Sequence, residues 1–199
     1  KCAKATNECF LISCQEKNNM LLLRQLTIIA LLVVLAFLCG CSKAPMQLPG
    51  TEEHKITAEP FFCPHDLCEQ RVVAAIQGAD ESIDAAIYSF TSREIAGALI
   101  AAKARGVRVR VVADYLQSRG ESSVLDELTR AGLKVRVYPR ATTMHNKFAV
   151  IDNSLVITGS FNWTKSAAHY NRENFIILFG RGLAEEYENE FFRLWVEAS

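Results

Sequence analysis

His145-Asn146-Lys147-Phe148-Ala149-Val150-Ile151-Asp152-Asn153-Ser154-Leu155-Val156-Ile157-Thr158-Gly159-Ser160-Phe161 contains two apolar runs on either side of Asp152-Asn153. Runs of this length bounded by turn formers predict two strands, 146–151 and 155–161. A two-residue turn at Asp152-Asn153 pairs Ile151 with Ser154. Counting outward, Lys147 then faces Thr158 and His145 faces Ser160, with Asn162 one step further along. His145 and Lys147 are two apart, so on an extended strand they share a face. An imidazole, an ammonium, a hydroxyl and an amide converge on one patch. Such a patch suits a phosphodiester, which needs a nucleophile and several donors for its non-bridging oxygens.

Outward from this hairpin, strands alternate with helices. Ile56–Cys63, Ser82–Phe90, Val107–Asp114, Leu133–Tyr138 and Glu173–Phe179 read as further strands. Val107–Asp114 alternates Val with Arg, the pattern of one buried face. Helical spacing marks Asp66–Ala79, a segment from Thr91 to Arg105 that stops at Gly106, Glu121–Ala131 ended by Gly132, and Gly182–Ala198. Thr91 and Glu94 have the spacing of a capping box. The alternation predicts an α/β fold with a mixed, mostly parallel central sheet and helices on both faces. No glycine-rich phosphate loop and no G-x-S-x-G is present.

Met144-His145-Asn146-Lys147-Phe148-Ala149-Val150-Ile151-Asp152 fits H-x-K-x4-D, and Gly159-Ser160-Phe161-Asn162-Trp163-Thr164 and Asn171-Arg172-Glu173-Asn174 follow it. With the earlier Ala86-Ile87-Tyr88-Ser89-Phe90-Thr91, this order resembles the HKD signature of the phospholipase D superfamily, over nearly all of residues 60–197. It looks closest to the small bacterial endonuclease branch, which has one motif per chain. The resemblance implies a phospholipase D-like α/β/α sandwich and metal-independent phosphodiester hydrolysis, with no cofactor. In that scheme His145 attacks phosphorus and forms a phosphohistidine. Lys147, Ser160 and Asn162 hold the phosphoryl oxygens. Glu173 accepts from the imidazole and orients it, as a carboxylate does for a catalytic His. Asp152, at the strand end with opposite parity, is assigned to holding the turn. His54, His65 and His169 lack comparable company.

The chain begins with Lys1. Met20, Arg24 and the uncharged run Leu26–Leu38 have the layout of an export signal, so residues 1–19 read as upstream sequence. Leu38-Cys39-Gly40-Cys41 resembles a bacterial lipobox, making 20–41 a signal peptide whose Cys41 is lipidated. Residues 42–55 read as a tether before a catalytic domain at 56–199. The chain is then exported to the cell envelope and held at the membrane by its N-terminus. Cys63 and Cys68 could close a small disulfide in an oxidising compartment. The rival is a metal site using His65, for which only three ligands are at hand.

With 22 basic and 22 acidic residues the chain is formally neutral, so no whole-chain field draws it to nucleic acid. Locally, Ala101–Lys147 holds ten Lys or Arg against four acids, while the tail from Arg181 has two Arg and five Glu. A basic middle suggests an anionic substrate met on one face. Nucleic acid is the favoured substrate, because Arg-bearing strands run up to the motif. A phospholipid headgroup is the alternative, and a non-catalytic phosphate-binding envelope protein is the reading from a different class. A histidine that becomes a phosphohistidine cannot also protonate the leaving oxygen, so a second acid is required. With one motif per chain, a two-fold homodimer with a composite site supplies it.

Overall fold

The computed structural model describes residues 56–199. The chain runs β1 (Thr57–Cys63), α1 (Cys68–Gln77), β2 (Ser82–Ile87), α2 (Arg93–Ala104), β3 (Arg108–Ala113), α3 (Tyr115–Ser118), α4 (Leu125–Arg130), β4 (Lys134–Val137), β5 (Lys147–Ile151), β6 (Leu155–Gly159), α5 (Lys165–His169), β7 (Glu173–Phe179) and α6 (Arg181–Glu197). The strands form one seven-stranded sheet in the order β1-β7-β6-β5-β2-β3-β4. The family-like α/β architecture is present, but the sheet is not mostly parallel. Only β2–β3 and β3–β4 run parallel, and the four other pairs are antiparallel. Both parallel pairs are joined by helical crossovers, β2-α2-β3 and β3-α4-β4, whereas β6-α5-β7 also carries a helix and still pairs antiparallel. The three-residue link between β5 and β6 forces antiparallel pairing.

Period-two alternation in the strands splits the apolar residues between two faces. Ile83, Ala85, Ile87, Val111, Ala149 and Ile151 pack with Val72 and Ile76 of α1, Leu99 of α2, Leu128 of α4 and Ala167 of α5. Ala86, Val112, Phe148, Val150 and Val156 pack with Ala184, Phe191 and Leu194 of α6. The expected cap at Thr91 moves by one residue. Ser92 is the N-cap of α2, its Oγ accepting from Ile95 N at 3.1 Å. Thr91 is held before the helix because its N–H and that of Ser92 both donate to Trp163 O.

The charge asymmetry of the sequence is largely answered inside the fold. Arg110 Nε lies 2.5 Å from the fully buried Asp84, and its Nη2 reaches Glu188 of α6 at 2.9 Å. Arg108 joins Asp84 at 3.0 Å. Arg105 donates to the carbonyls of Ile76, Gln77 and Ala79. Arg136 donates to Trp195 O. The Arg-bearing strands therefore hold the acidic helix α6 rather than presenting a basic face. Cys63 and Cys68 are joined by a disulfide, and His65 Nε2 sits 3.0 Å from Arg172. The leader, the lipobox with Cys41, the tether and His54 lie outside the described residues. Among the described residues no helix is long and apolar enough to cross a membrane.

Candidate functional site

Register places the functional segments at one edge of the sheet. Lys147 at the start of β5 pairs with Ile87 at the end of β2, which in turn pairs with Ala113 at the end of β3. Gly159 at the end of β6 pairs with Phe175, and Cys63 at the end of β1 pairs with Glu173 at the start of β7. His145, Lys147, Ser160 and Glu173 therefore all lie at or just beyond strand ends on this edge.

The β5–β6 register differs from the expected one by a residue. Asp152 and Asn153 both have positive φ, and Ser154 N closes the turn on Ile151 O. Ile151 then pairs with Leu155 and not Ser154, which puts Phe148 opposite Thr158. Ser154 belongs to a three-residue turn, and its carbonyl accepts from Gly180 N on the β7 side. A one-residue slip exchanges faces, so Lys147 and Thr158 are not partners. Ser160 nevertheless stays at the site. Gly159 approaches β7 so closely that a Cβ there would meet Asn174 O at 2.4 Å, and this lets Ser160 N–H donate to Asn174 O at 2.9 Å.

Around the exposed His145, Lys147 Nζ stands 3.3 Å from Nδ1 and donates to the His145 carbonyl at 2.8 Å. Burial lowers the Lys147 pKa below the ordinary lysine value, and nearby Glu173 offsets part of that. Ser160 Oγ donates to Glu173 Oε2 at 2.5 Å, and Asn171 Nδ2 donates to Glu173 Oε1 at 3.0 Å. The Glu173 carboxylate is thus held by Ser160 and Asn171, and among the described residues the His145 imidazole is not one of its hydrogen-bond partners. Asn162 Oδ1 accepts from Ser89 N at 3.3 Å, which ties the post-β6 segment to the post-β2 segment. Asp152 stands at the far edge. Its carboxylate accepts from Asp80, Glu81 and Ser82 N–H at 2.8–2.9 Å. Partial burial pulls its pKa upward, but the amide donors outweigh it and hold the group below the ordinary carboxylate value. This is a turn clamp, remote from the imidazole.

Three contributors escaped the reading of the sequence. Tyr88 packs its ring 4.4 Å from that of His145 and lies 4.8 Å from Lys147 Nζ. Gln117 holds the Tyr88 hydroxyl at 3.2 Å. Asn171 clamps Glu173. Of these, Tyr88 and Asn171 lay within stretches quoted for the resemblance but were given no role; Gln117 is brought in by α3, a four-residue helix with no periodic signal. A groove of about 370 Å³ opens beside the motif, lined by His145, Asn146, Lys147, Phe148, Thr158, Gly159, Glu186, Tyr187 and Glu190. Among the described residues no group of three or more His, Cys, Asp or Glu is placed to hold a metal ion.

With this geometry in view, a family model described as "Cardiolipin synthase, PLD-like domain" matches residues 72–195. The chain is 38% identical over 135 residues to a mitochondrial cardiolipin hydrolase of Xenopus tropicalis, covering 67% of this chain and 64% of that protein. It is 40% identical over 131 residues to a phospholipase D of Rickettsia prowazekii, covering 66% of this chain and 64% of that one. The chain thus spans a little under two thirds of these curated relatives. A crystal structure of Nuc from Salmonella typhimurium, a phospholipase D family member, superposes with a TM-score of 0.69 at 32% identity. That match covers 73% of this chain and 97% of the other.

Proposed function

Because the chain belongs to the phospholipase D superfamily, we propose that it hydrolyses phosphodiester bonds through a phosphohistidine on His145, without a metal ion. The observation that carries this reading is the pairing of an exposed imidazole with a partly buried ammonium 3.3 Å away, beside the Ser160–Glu173 pair. His145 attacks phosphorus, the ester oxygen leaves with a proton, and water then cleaves the P–N bond. Lys147 and Asn162 supply donors for the phosphoryl oxygens, whose charge grows in the transition state, and Ser160 joins them when its hydroxyl turns from Glu173 to substrate. Glu173, already pre-aligned by Ser160 and Asn171, takes the imidazole N–H as the ring turns toward substrate. The proton for the leaving oxygen comes from His145 of a second copy across a two-fold axis, and the N-terminal segment holds this dimer at the membrane of the cell envelope.

Nucleic acid remains the favoured substrate, on new grounds. The strand arginines are engaged by Asp84 and Glu188, but Arg119 and Arg140 lie 5.5 and 6.0 Å from the Tyr115 ring on one flank of the site. Tyr170, 75% exposed, precedes Arg172 by two residues on the other. Rings beside guanidinium groups suit the bases and phosphates of a single strand. A phospholipid headgroup is the second reading. It is favoured by the names of the relatives and by the exposed Leu67 and Leu116 at the same edge. The test is the purified full chain, in EDTA, on single-stranded RNA, plasmid DNA and phospholipid vesicles. Cleavage that requires added Mg²⁺ overturns the metal-free mechanism, and cleavage of lipid alone overturns the nuclease reading.

A further inference from the structure

Two residues outside the motif hold its geometry. The Tyr88 ring lies 4.4 Å from the His145 ring at an interplanar angle of 54°, and 4.8 Å from the Lys147 ammonium. One aromatic face therefore touches both groups that do the chemistry. Tyr88 is itself fixed at two points: its N–H donates to Asn146 O at 2.8 Å, and its hydroxyl accepts from Gln117 Nε2 at 3.2 Å. Asp114 underlies the same assembly and is only 3% exposed. Its Oδ1 caps α3 by accepting from Leu116 and Gln117 N–H at 2.9 and 3.1 Å, and its Oδ2 accepts from Met144 N–H at 3.2 Å. Met144 is the residue before His145. A single buried carboxylate thus registers the helix that anchors Tyr88 against the backbone that delivers the nucleophile.

We propose that Tyr88 and Asp114 are positioning residues. The Tyr88 ring is the surface against which the His145 imidazole and the Lys147 ammonium are seated and which limits their turning, and Asp114 locks the Gln117 support and the His145 backbone to each other. The proposal rests on the phosphodiesterase reading of the site. Its ingredients are physical. A ring face restricts rotation of a neighbouring imidazole, and its quadrupole attracts an ammonium. At a reacting centre a small displacement of the nucleophile is costly in rate. The titratable groups facing Lys147 are His145 on its own segment, Tyr88 from the β2 end, Glu173 from β7, and Glu186 and Glu190 of α6 across the groove. Of these neighbours the Tyr88 ring supports the charged ammonium without competing for its protons.

The experiment measures kcat, KM and pH profiles of the full chain on bis(p-nitrophenyl) phosphate. Tyr88→Leu should lower kcat by about 10²-fold while KM changes little, and the alkaline limb of kcat should move to lower pH as the ammonium loses its ring. Tyr88→Phe should recover most of both, because the ring touches the motif, with a smaller residual loss from the missing Gln117 bond. Asp114→Asn, which keeps one acceptor oxygen, should fall between wild type and Asp114→Ala. An unchanged kcat and limb in Tyr88→Leu overturns the proposal, as does a Tyr88→Phe variant no better than Tyr88→Leu. Should Tyr88→Leu not fold, Tyr88→Met carries the same comparison. Imidazole ¹⁵N resonances of His145 give a readout independent of turnover. If wild type does not cleave the diester, the phosphodiesterase reading fails by itself. Tyr88 must then still shift those resonances as Leu and not as Phe, or the positioning role falls too.

Discussion

The Lys147 ammonium stands 3.3 Å from Nδ1 of His145. A protonated amine can only donate, so Nδ1 is the acceptor and a neutral ring carries its proton on Nε2. An oxyanion entering the site should draw the ammonium to itself and release Nδ1. Titration with tungstate, followed by His145 ¹⁵N resonances, should show the proton move from Nε2 to Nδ1. Resonances indifferent to a saturating oxyanion would count against Lys147 as a phosphoryl ligand.

Glu173 is held by Ser160 and Asn171, so Glu173→Gln disturbs one charge and little packing. The imidazole would lose its carboxylate partner during turnover. The kcat should drop by about 10²–10⁴-fold, with a smaller change in substrate affinity. A variant as fast as wild type removes Glu173 from the chemistry.

Asp152 gathers three backbone N–H groups from the β2 approach and makes no hydrogen bond to His145 or Lys147. Asp152→Ala should cost about 1–3 kcal/mol of stability and leave kcat of the folded fraction near wild type. Its folded-state pKa is lowered from 3.8. Its contribution is therefore complete above that value and is lost as pH falls through the lower folded-state value. Denaturant titrations of both proteins at neutral and strongly acidic pH check this: the gap between them should close in acid.

Glu188 shows the opposite sign. Burial, then the neighbouring Asp84, pushes its carboxyl up from 4.5 to about 7, against the pull of Arg110 and Arg108. A raised folded-state pKa means stability that is fully present below 4.5 and lost as pH rises through about 7. Glu188→Gln mimics the protonated form. Melting curves should show the variant gaining on wild type between pH 5 and pH 8 by a few degrees. A constant difference across that window means Glu188 is ionised throughout.

The composite-site proposal makes a stoichiometric prediction. His145→Ala should be inactive yet folded, since the ring is exposed and caps no core. Co-expressed with wild type at equal levels, random pairing leaves roughly a quarter of dimers fully wild type. Activity per total protein should approach that fraction. A value near one half means each subunit works alone.

The sequence by itself determined the local features. The spacing of His145 and Lys147, the helix stops at Gly106 and Gly132, the turn at Asp152-Asn153 and the apolar stripe of α6 all follow from period, turn chemistry and motif order over a few residues. Tertiary structure decided the rest. Whether neighbouring strands run parallel depended on where each link returns the chain to the sheet: β6 and β7 are joined through a helix and still pair antiparallel. The β5–β6 register depended on a turn of three residues rather than two, with Asp152 and Asn153 both at positive φ and Asp152 clamped by the amides of Asp80, Glu81 and Ser82. Arg108 and Arg110 read as a substrate-facing charge until α6 supplied Glu188 and β2 supplied Asp84. Tyr88, Gln117 and Asp114 met His145 only through a strand pair and a short helix. Periodicity states which face a side chain takes. It does not state which distant group lies across from that face, because the pairing is set by the packing of the whole sheet.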